Sequence, residues 1–173
     1  MRKNTLILLC GISGSGKSTF RDLLVEKGMK CVCPDLIRKD LYGDENIQGD
    51  GKMVFSIAYD NMIIFGDAKE DVVFDATNIT KKARQKIIKR AKNSFDFILC
   101  YYLNTPLPVA LKRNSQRKRQ VPEDVIFSQL KRFEQPSLDE GFEYIAVIEC
   151  GFNDNLNDGR KVIEELENYY KKY

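Results

Sequence analysis

The sequence predicts an α/β fold: one domain over residues 1–173, with a mainly parallel five-stranded sheet flanked by helices on both faces. Two observations carry that expectation. Short apolar runs near 5–10, 30–34, 71–75, 95–103 and 143–149 read as strands, and segments of helical period lie between them. That alternation is what a parallel sheet with crossover helices produces. The first run, Leu6-Ile7-Leu8-Leu9-Cys10, then enters Gly11-Ile12-Ser13-Gly14-Ser15-Gly16-Lys17-Ser18. This stretch fills every fixed position of G-x-x-x-x-G-K-[ST], placed between a strand and a helix. The combination specifies a P-loop NTPase fold.

The spelling of the loop has a physical cause. Glycines let successive backbone N–H groups curl around an anion, and the following helix, over 17–27, adds the partial positive charge of its N-terminus. Gly11, Ser13, Gly14, Ser15, Gly16 and Thr19 would wrap the phosphates of a nucleoside triphosphate. Lys17 would reach the β- and γ-phosphates, and the Ser18 hydroxyl would ligate Mg²⁺. The rivals are an ordinary Gly/Ser turn and a dinucleotide-binding loop. The second fits poorly, because the glycines fall at 11, 14 and 16 and a lysine follows.

The second strand runs into Cys31-Val32-Cys33-Pro34-Asp35, ahead of a helix over 35–41. A carboxylate there stands at the carboxyl edge of the sheet, where open α/β folds bind ligands. Asp35 is either the cap of that helix or a general base, and Arg38, three residues on, shares its helix face. After a polar connection from Gly43 to Gly51, the helix over 51–69 carries Val54, Ile57, Ala58, Met62 and Phe65 as a core stripe. Asp71-Val72-Val73-Phe74-Asp75 is an apolar strand ending in a carboxylate, the form of the second magnesium-handling element in such NTPases. Thr77 and Asn78 follow at the sheet edge, either as acceptor-site residues or as the turn opening a helix over 80–93 that Thr80 would cap. On that helix Lys81, Lys82, Arg84, Lys86, Lys89, Arg90 and Lys92 oppose a stripe of Ala83, Ile87, Ile88 and Ala91. The cations form a solvated face or a surface for a phosphate backbone.

Beyond the strand at 95–103, a helix over 106–117 enters Lys112-Arg113-Asn114-Ser115-Gln116-Arg117-Lys118-Arg119, five cations in eight residues with no acid. This is a solvated helix end or a lid, about 112–121, over a triphosphate. Arg113 and Arg117, one turn apart, could converge on the same oxygens. Pro122, Glu123 and Asp124 suit the first turn of a helix over 122–134. A helix over 157–171, with Val162, Ile163, Leu166 and Tyr170 on one side, is expected to close the domain after the strand at 143–149.

Composition narrows the chemistry. Histidine is absent, which removes Ser-His-Asp and Cys-His nucleophilic chemistry and His metal sites. Any general base is therefore a carboxylate first. The five cysteines, Cys10, Cys31, Cys33, Cys100 and Cys150, are odd in number and lie in or beside apolar runs, which predicts free thiols in a reducing compartment. Cys31 and Cys33 have no second pair at zinc spacing. Arg2-Lys3 precedes only five apolar residues, too few for a signal sequence or a membrane span. The expectation is a cytoplasmic protein without membrane partners, and a net charge of +3 alone does not argue for nucleic acid.

Taken together, the loop, Pro-Asp-x-x-Arg at 34–38, Phe-Asp-Ala-Thr-Asn at 74–78 and Lys-Arg-Asn-Ser-x-Arg at 112–117 resemble the kinase domain of bacteriophage polynucleotide kinase, in order and approximate spacing across residues 5–135. The stretch from Val121-Pro122 to Phe133-Glu134-Gln135-Pro136-Ser137-Leu138-Asp139-Glu140-Gly141-Phe142 looks like the end of the animal bifunctional polynucleotide kinase. The resemblance implies an ATP- and Mg²⁺-dependent kinase acting on a hydroxyl, foremost the 5′-OH of RNA or DNA. Asp35 would deprotonate that hydroxyl, and Arg38 would bridge to the phosphate in flight. Asp75, Thr77 and Asn78 would shape the acceptor site, with Asp75 also handling the metal, and Arg113 and Arg117 would act from the lid. No Asp-x-Asp of the bifunctional members' phosphatase half occurs, so kinase activity alone is expected. Cys33-Pro34 and Ala76 replace residues common in the family, departures that bear on the acceptor more than on the ATP site. The rivals are a kinase of a small metabolite, sugar nucleotide or antibiotic hydroxyl, and a nucleotide-dependent switch without transfer.

Overall fold

In the computed structural model, whose described residues are 3–45, 47–151, 160, 163 and 164, all strand pairings are parallel. The elements are β1 (Thr5–Cys10), α1 (Lys17–Glu26), β2 (Lys30–Val32), α2 (Pro34–Tyr42), α3 (Gly51–Asp67), β3 (Val72–Asp75), α4 (Lys81–Ala91), β4 (Phe97–Asn104), α5 (Leu107–Ser115), α6 (Glu123–Lys131), a 3₁₀ turn at Leu138–Glu140, and β5 (Tyr144–Glu149). The sheet order is β2-β3-β1-β4-β5. The crossover from β1 to β2 thus leaves room for β3 between them. The phosphate loop after β1, Asp75 at the end of β3 and Asp35 just beyond β2 therefore arrive side by side at one edge.

Helices cover both faces, so the central strands read as unbroken apolar runs rather than alternating ones. Leu6, Leu8 and Cys10 of β1 pack with Val54, Ala58 and Met62 of α3 and with Ile87 and Ala91 of α4. Ile7 and Leu9 point the other way, onto Phe20, Leu23 and Leu24 of α1. The stripe expected on α3 is core as anticipated, with Ile57 and Phe65 partly buried beside it. A third cluster, Ile12, Ile79, Ala110 and Ile126, locks the loop against α5 and α6.

Several element boundaries differ from expectation by a few residues. β2 stops at Val32 because Pro34 has no N–H for the ladder and instead opens α2 as its first residue. α5 ends at Ser115, two residues short of the predicted helix, and α6 at Lys131. Thr80 caps α4 as predicted, its hydroxyl accepting from the Ala83 N–H at 3.3 Å. The helix expected over 157–171 lies outside the described residues apart from 160, 163 and 164, of which Ile163 is buried with α1.

Arg84 corrects the reading of α4. It is fully buried rather than part of the solvated basic face. Its Nε and Nη2 donate to the Glu140 carboxylate at 2.7 and 2.6 Å, and its Nη1 donates to the carbonyls of Asn78 at 3.0 Å and Glu134 at 2.8 Å. The guanidinium therefore ties the segment following β3 to the segment following α6. Its position, three and four residues before Ile87 and Ile88, is on the inward face.

Candidate active site

The loop is shaped by its glycines and by what lies behind it. Gly14 and Gly16 have φ of +83° and +101°, a region that side-chain-bearing residues seldom enter. At Gly14 a Cβ would stand 2.3 Å from the Ala110 carbonyl oxygen of α5, so the loop sits directly on that helix. The Ser15 carbonyl accepts from Thr105 Oγ1 at 3.0 Å and from Arg113 Nη1 at 3.3 Å. Gly11 N–H donates to the Thr77 carbonyl at 3.0 Å, which fastens the loop to the segment after β3. Lys17 Nζ donates to the carbonyls of Gly11 and Ile12 at 2.9 and 2.7 Å and to Ser15 Oγ at 3.3 Å. Burial draws its pKa down to about 8, against the raising pull of the Asp75 carboxylate. An ammonium so poorly solvated gains more from an arriving anion than a surface lysine does.

One cleft of about 690 Å³ joins this loop to the carboxylates. Ser13, Gly14, Gly16, Lys17 and Ser18 line one side, with Asp35, Arg38, Asp75, Thr77 and Arg117 around the remainder. Asp35 is half-exposed: Oδ1 accepts from Arg38 Nη1 at 2.5 Å and Oδ2 from Arg119 Nη1 at 3.2 Å. Its carboxylate does not cap α2, whose N-cap residue is Cys33. Arg38 Nε is buried without a hydrogen-bond partner, the sole such side-chain atom among the described residues. Such an orphan donor costs free energy unless a ligand or water meets it. Asp75 is buried, and burial pushes its carboxyl up, opposed by Lys17 and by Arg21, whose Nη1 donates to Oδ2 at 2.9 Å.

Other predicted residues are placed elsewhere. Asn78 does not line the cleft: it is buried with positive φ, and its Nδ2 donates to the Leu9 carbonyl at 2.8 Å. Arg113 lies behind the loop, bonded to Ser15 and, through Nη2, to the Gly151 carbonyl at 2.9 Å. Arg117 comes over the front instead, its Nη2 donating to Ser18 Oγ at 3.3 Å. The two arginines do not converge, because α5 ends between them and the one-turn relation is lost. Gly11 and Ser15 are buried within the loop and Thr19 is exposed; none of the three lines the cleft. The segment that follows α5 is pinned at its return by Asn114, whose side chain makes two bonds to the Val121 backbone, at 2.8 and 2.9 Å.

Several cleft residues are not anticipated from sequence, among them Arg21, Arg119 and Gln129. Arg21 carried a signal, since it follows Lys17 by one turn of α1. Arg119 lay within the basic run but had no partner visible in sequence; it links Asp35 to Glu45 Oε1, at 3.6 Å. Gln129, from α6, had none at all, and its bond to Ser13 spans 116 residues.

A family profile described as an AAA domain matches residues 6–136. The chain belongs to the AAA domain family. In this AAA domain protein the matched span includes every residue of the cleft. It is similar to the L-seryl-tRNA(Sec) kinase of Methanococcus maripaludis, 30% identical over 143 residues that cover 76% of this chain and 53% of the relative. The chain thus spans about half the length of that relative. Among solved structures, the Pnkp1/Rnl/Hen1 RNA repair complex matches with a TM-score of 0.69 at 19% identity, over 76% of this chain and 44% of the other. A gluconokinase from Sinorhizobium meliloti 1021 matches with a TM-score of 0.66 at 19% identity, over 99% of both chains. At such identities the structures speak to the fold, which is that of P-loop kinases. All five cysteines are free thiols, and burial raises Cys31 to about 12. No helix among the described residues is long and apolar enough to cross a membrane.

Proposed function

We propose that this protein is an ATP- and Mg²⁺-dependent kinase that moves the γ-phosphate to a hydroxyl, foremost the 5′-OH of RNA or DNA. The observation that carries this reading is one cleft in which the phosphate loop with Lys17 faces a half-exposed carboxylate, Asp35, flanked by Arg38. In the reaction the acceptor oxygen forms a bond to the γ-phosphorus as the bond to the β-phosphate oxygen breaks, and the hydroxyl proton passes to Asp35. Charge spreads over the phosphoryl oxygens, so positioned cations do most of the work. Lys17 and Arg117 serve the donor side, and the unpartnered Nε of Arg38 is a donor for the acceptor side.

The residues fit a magnesium ion. Ser18 Oγ and the Asp75 carboxylate line the same cleft, and such hard oxygens suit Mg²⁺. Among the described residues no group of three or more acids, histidines or cysteines makes a metal cage. Mg²⁺ commonly rests on one or two protein oxygens plus substrate phosphates. Bound there, the ion would neutralise charge on the transferring group.

The seryl-tRNA relative supports an acceptor hydroxyl attached to nucleic acid, as does the sequence resemblance to polynucleotide kinase. A second reading, a small polyhydroxylated acceptor, is favoured by Glu45 and Gln48 on the cleft wall, side chains suited to hydroxyl recognition. One experiment separates them: transfer of labelled γ-phosphate to a 5′-OH oligoribonucleotide, a 5′-OH oligodeoxyribonucleotide and a panel of small polyols. Oligonucleotide transfer should weaken steeply with salt through counterion release. Labelling of polyols alone would refute the nucleic-acid reading, and ATP hydrolysis without any labelled acceptor would refute both.

A further inference from the structure

We infer that Gln129 of α6 is a further nucleotide-binding residue, its carboxamide braced by the phosphate loop on one side and donating to the terminal phosphoryl group on the other. The inference rests on the reading that the loop binds a nucleoside triphosphate.

Gln129 is buried, with 9% of its surface exposed, yet it lines the cleft. Its placement is fixed by packing one helical turn earlier. Ile126, fully buried, sits with Ile12 of the loop and with Ala110 of α5. That contact brings the next turn of α6 against Ser13. The Ser13 N–H then donates to Gln129 Oε1 at 2.7 Å. Only an oxygen can accept from this N–H, so the bond fixes which end of the amide faces the loop. The NH₂ group must therefore point elsewhere. It makes no hydrogen bond to any described residue, and it is not sealed in the interior, where Arg38 Nε is the sole unpartnered side-chain atom. What remains to it is the cleft, beside Ser13 and Lys17.

A neutral amide in this position does two things that its relatives cannot do together. A glutamate would still accept from Ser13 but would bring negative charge toward the triphosphate and lose the donor. A methionine would fill the space but offer neither acceptor nor donor. An N–H turned toward phosphoryl oxygens is a charge-assisted donor. Val125, on the same helix, also forms part of the cleft wall.

The test is the affinity of wild type, Gln129→Glu and Gln129→Met for Mg·ATP and for Mg·ADP, measured by titration calorimetry. Losing a donor to the terminal phosphate weakens ATP binding by about tenfold to a hundredfold. ADP lacks that phosphate, so the preference for ATP over ADP should fall by a similar factor in both variants. Gln129→Glu retains an oxygen for Ser13, so a merely structural role predicts wild-type affinities. Wild-type ATP binding by Gln129→Glu, or equal weakening of ATP and ADP in Gln129→Met, would overturn the inference. If Gln129→Glu does not fold, the nucleotide ratio of Gln129→Met decides alone. A wild-type protein that binds neither nucleotide would instead refute the function proposed above.

Discussion

Replacing Asp35 by asparagine removes one proton acceptor and little else. The carboxylate is half-exposed at 48%, and both its partners, Arg38 and Arg119, are cations that can still donate to an amide oxygen. Ion pairs this open to solvent contribute at most about 1 kcal/mol, so the fold should tolerate the change. Catalysis should not. A positioned general base contributes about 10²–10⁴-fold, which corresponds to roughly 3–5 kcal/mol of barrier at 1.36 kcal/mol per tenfold. The expected outcome is a fall of that size in single-turnover transfer of labelled γ-phosphate. ATP affinity by calorimetry should be preserved, and thermal melting should shift by only a few degrees. On the proposed reading Asp35 would serve the acceptor side and Lys17 and Ser18 the donor side, so the two readouts are separable. Transfer at the wild-type rate would refute the base assignment. Loss of ATP binding in step with activity would also refute it, by moving Asp35 into the nucleotide site.

Arg117→Ala removes the guanidinium that reaches Ser18 from beyond the end of α5; a positioned arginine at a transferring phosphoryl group is worth about 10³-fold or more, and an unaltered rate would refute that role for Arg117. Glu140→Gln leaves Arg84 as an uncompensated charge with no exposed surface, so urea denaturation should show a loss of about 3–5 kcal/mol; a loss below about 1 kcal/mol would contradict the burial argument. Gly14→Ala should weaken ATP binding and stability together, because the added methyl would meet the Ala110 carbonyl at 2.3 Å in addition to the cost of positive φ. Gly28→Ala is the matched control, with φ of +97° and nothing within 4 Å of the added carbon; it should lose only about 1–2 kcal/mol and bind ATP normally.

What could be read from sequence was whatever local spacing determines. The loop, Thr80 as a cap and the carboxylates at strand ends all depend on a few consecutive residues, or on the rule that ligands meet the carboxyl edge of a parallel sheet. Arg84 escapes a local reading for a definite reason. Its position at three and four residues before Ile87 and Ile88 already marked the inward face, but a charge there is tolerable only beside a partner, and Glu140 lies 56 residues away. Gln129 is a stronger case of the same kind, since one buried isoleucine on α6 and one in the loop decide where it sits.

Arg113 and Arg117 show how a correct local rule can mislead. Four residues apart on one helix, they would share a face; α5 ends at Ser115, so only the first belongs to it. The chain then turns, and the pair separates to opposite sides of the loop, Arg113 fastening the Ser15 carbonyl from behind and Arg117 reaching Ser18 from the front. The basic run is therefore two devices rather than one lid. Arg113→Ala should loosen the loop and weaken ATP and ADP equally, whereas Arg117→Ala should act on the transfer rate. A shared kinetic signature for the two variants would mean that they converge on the phosphates after all.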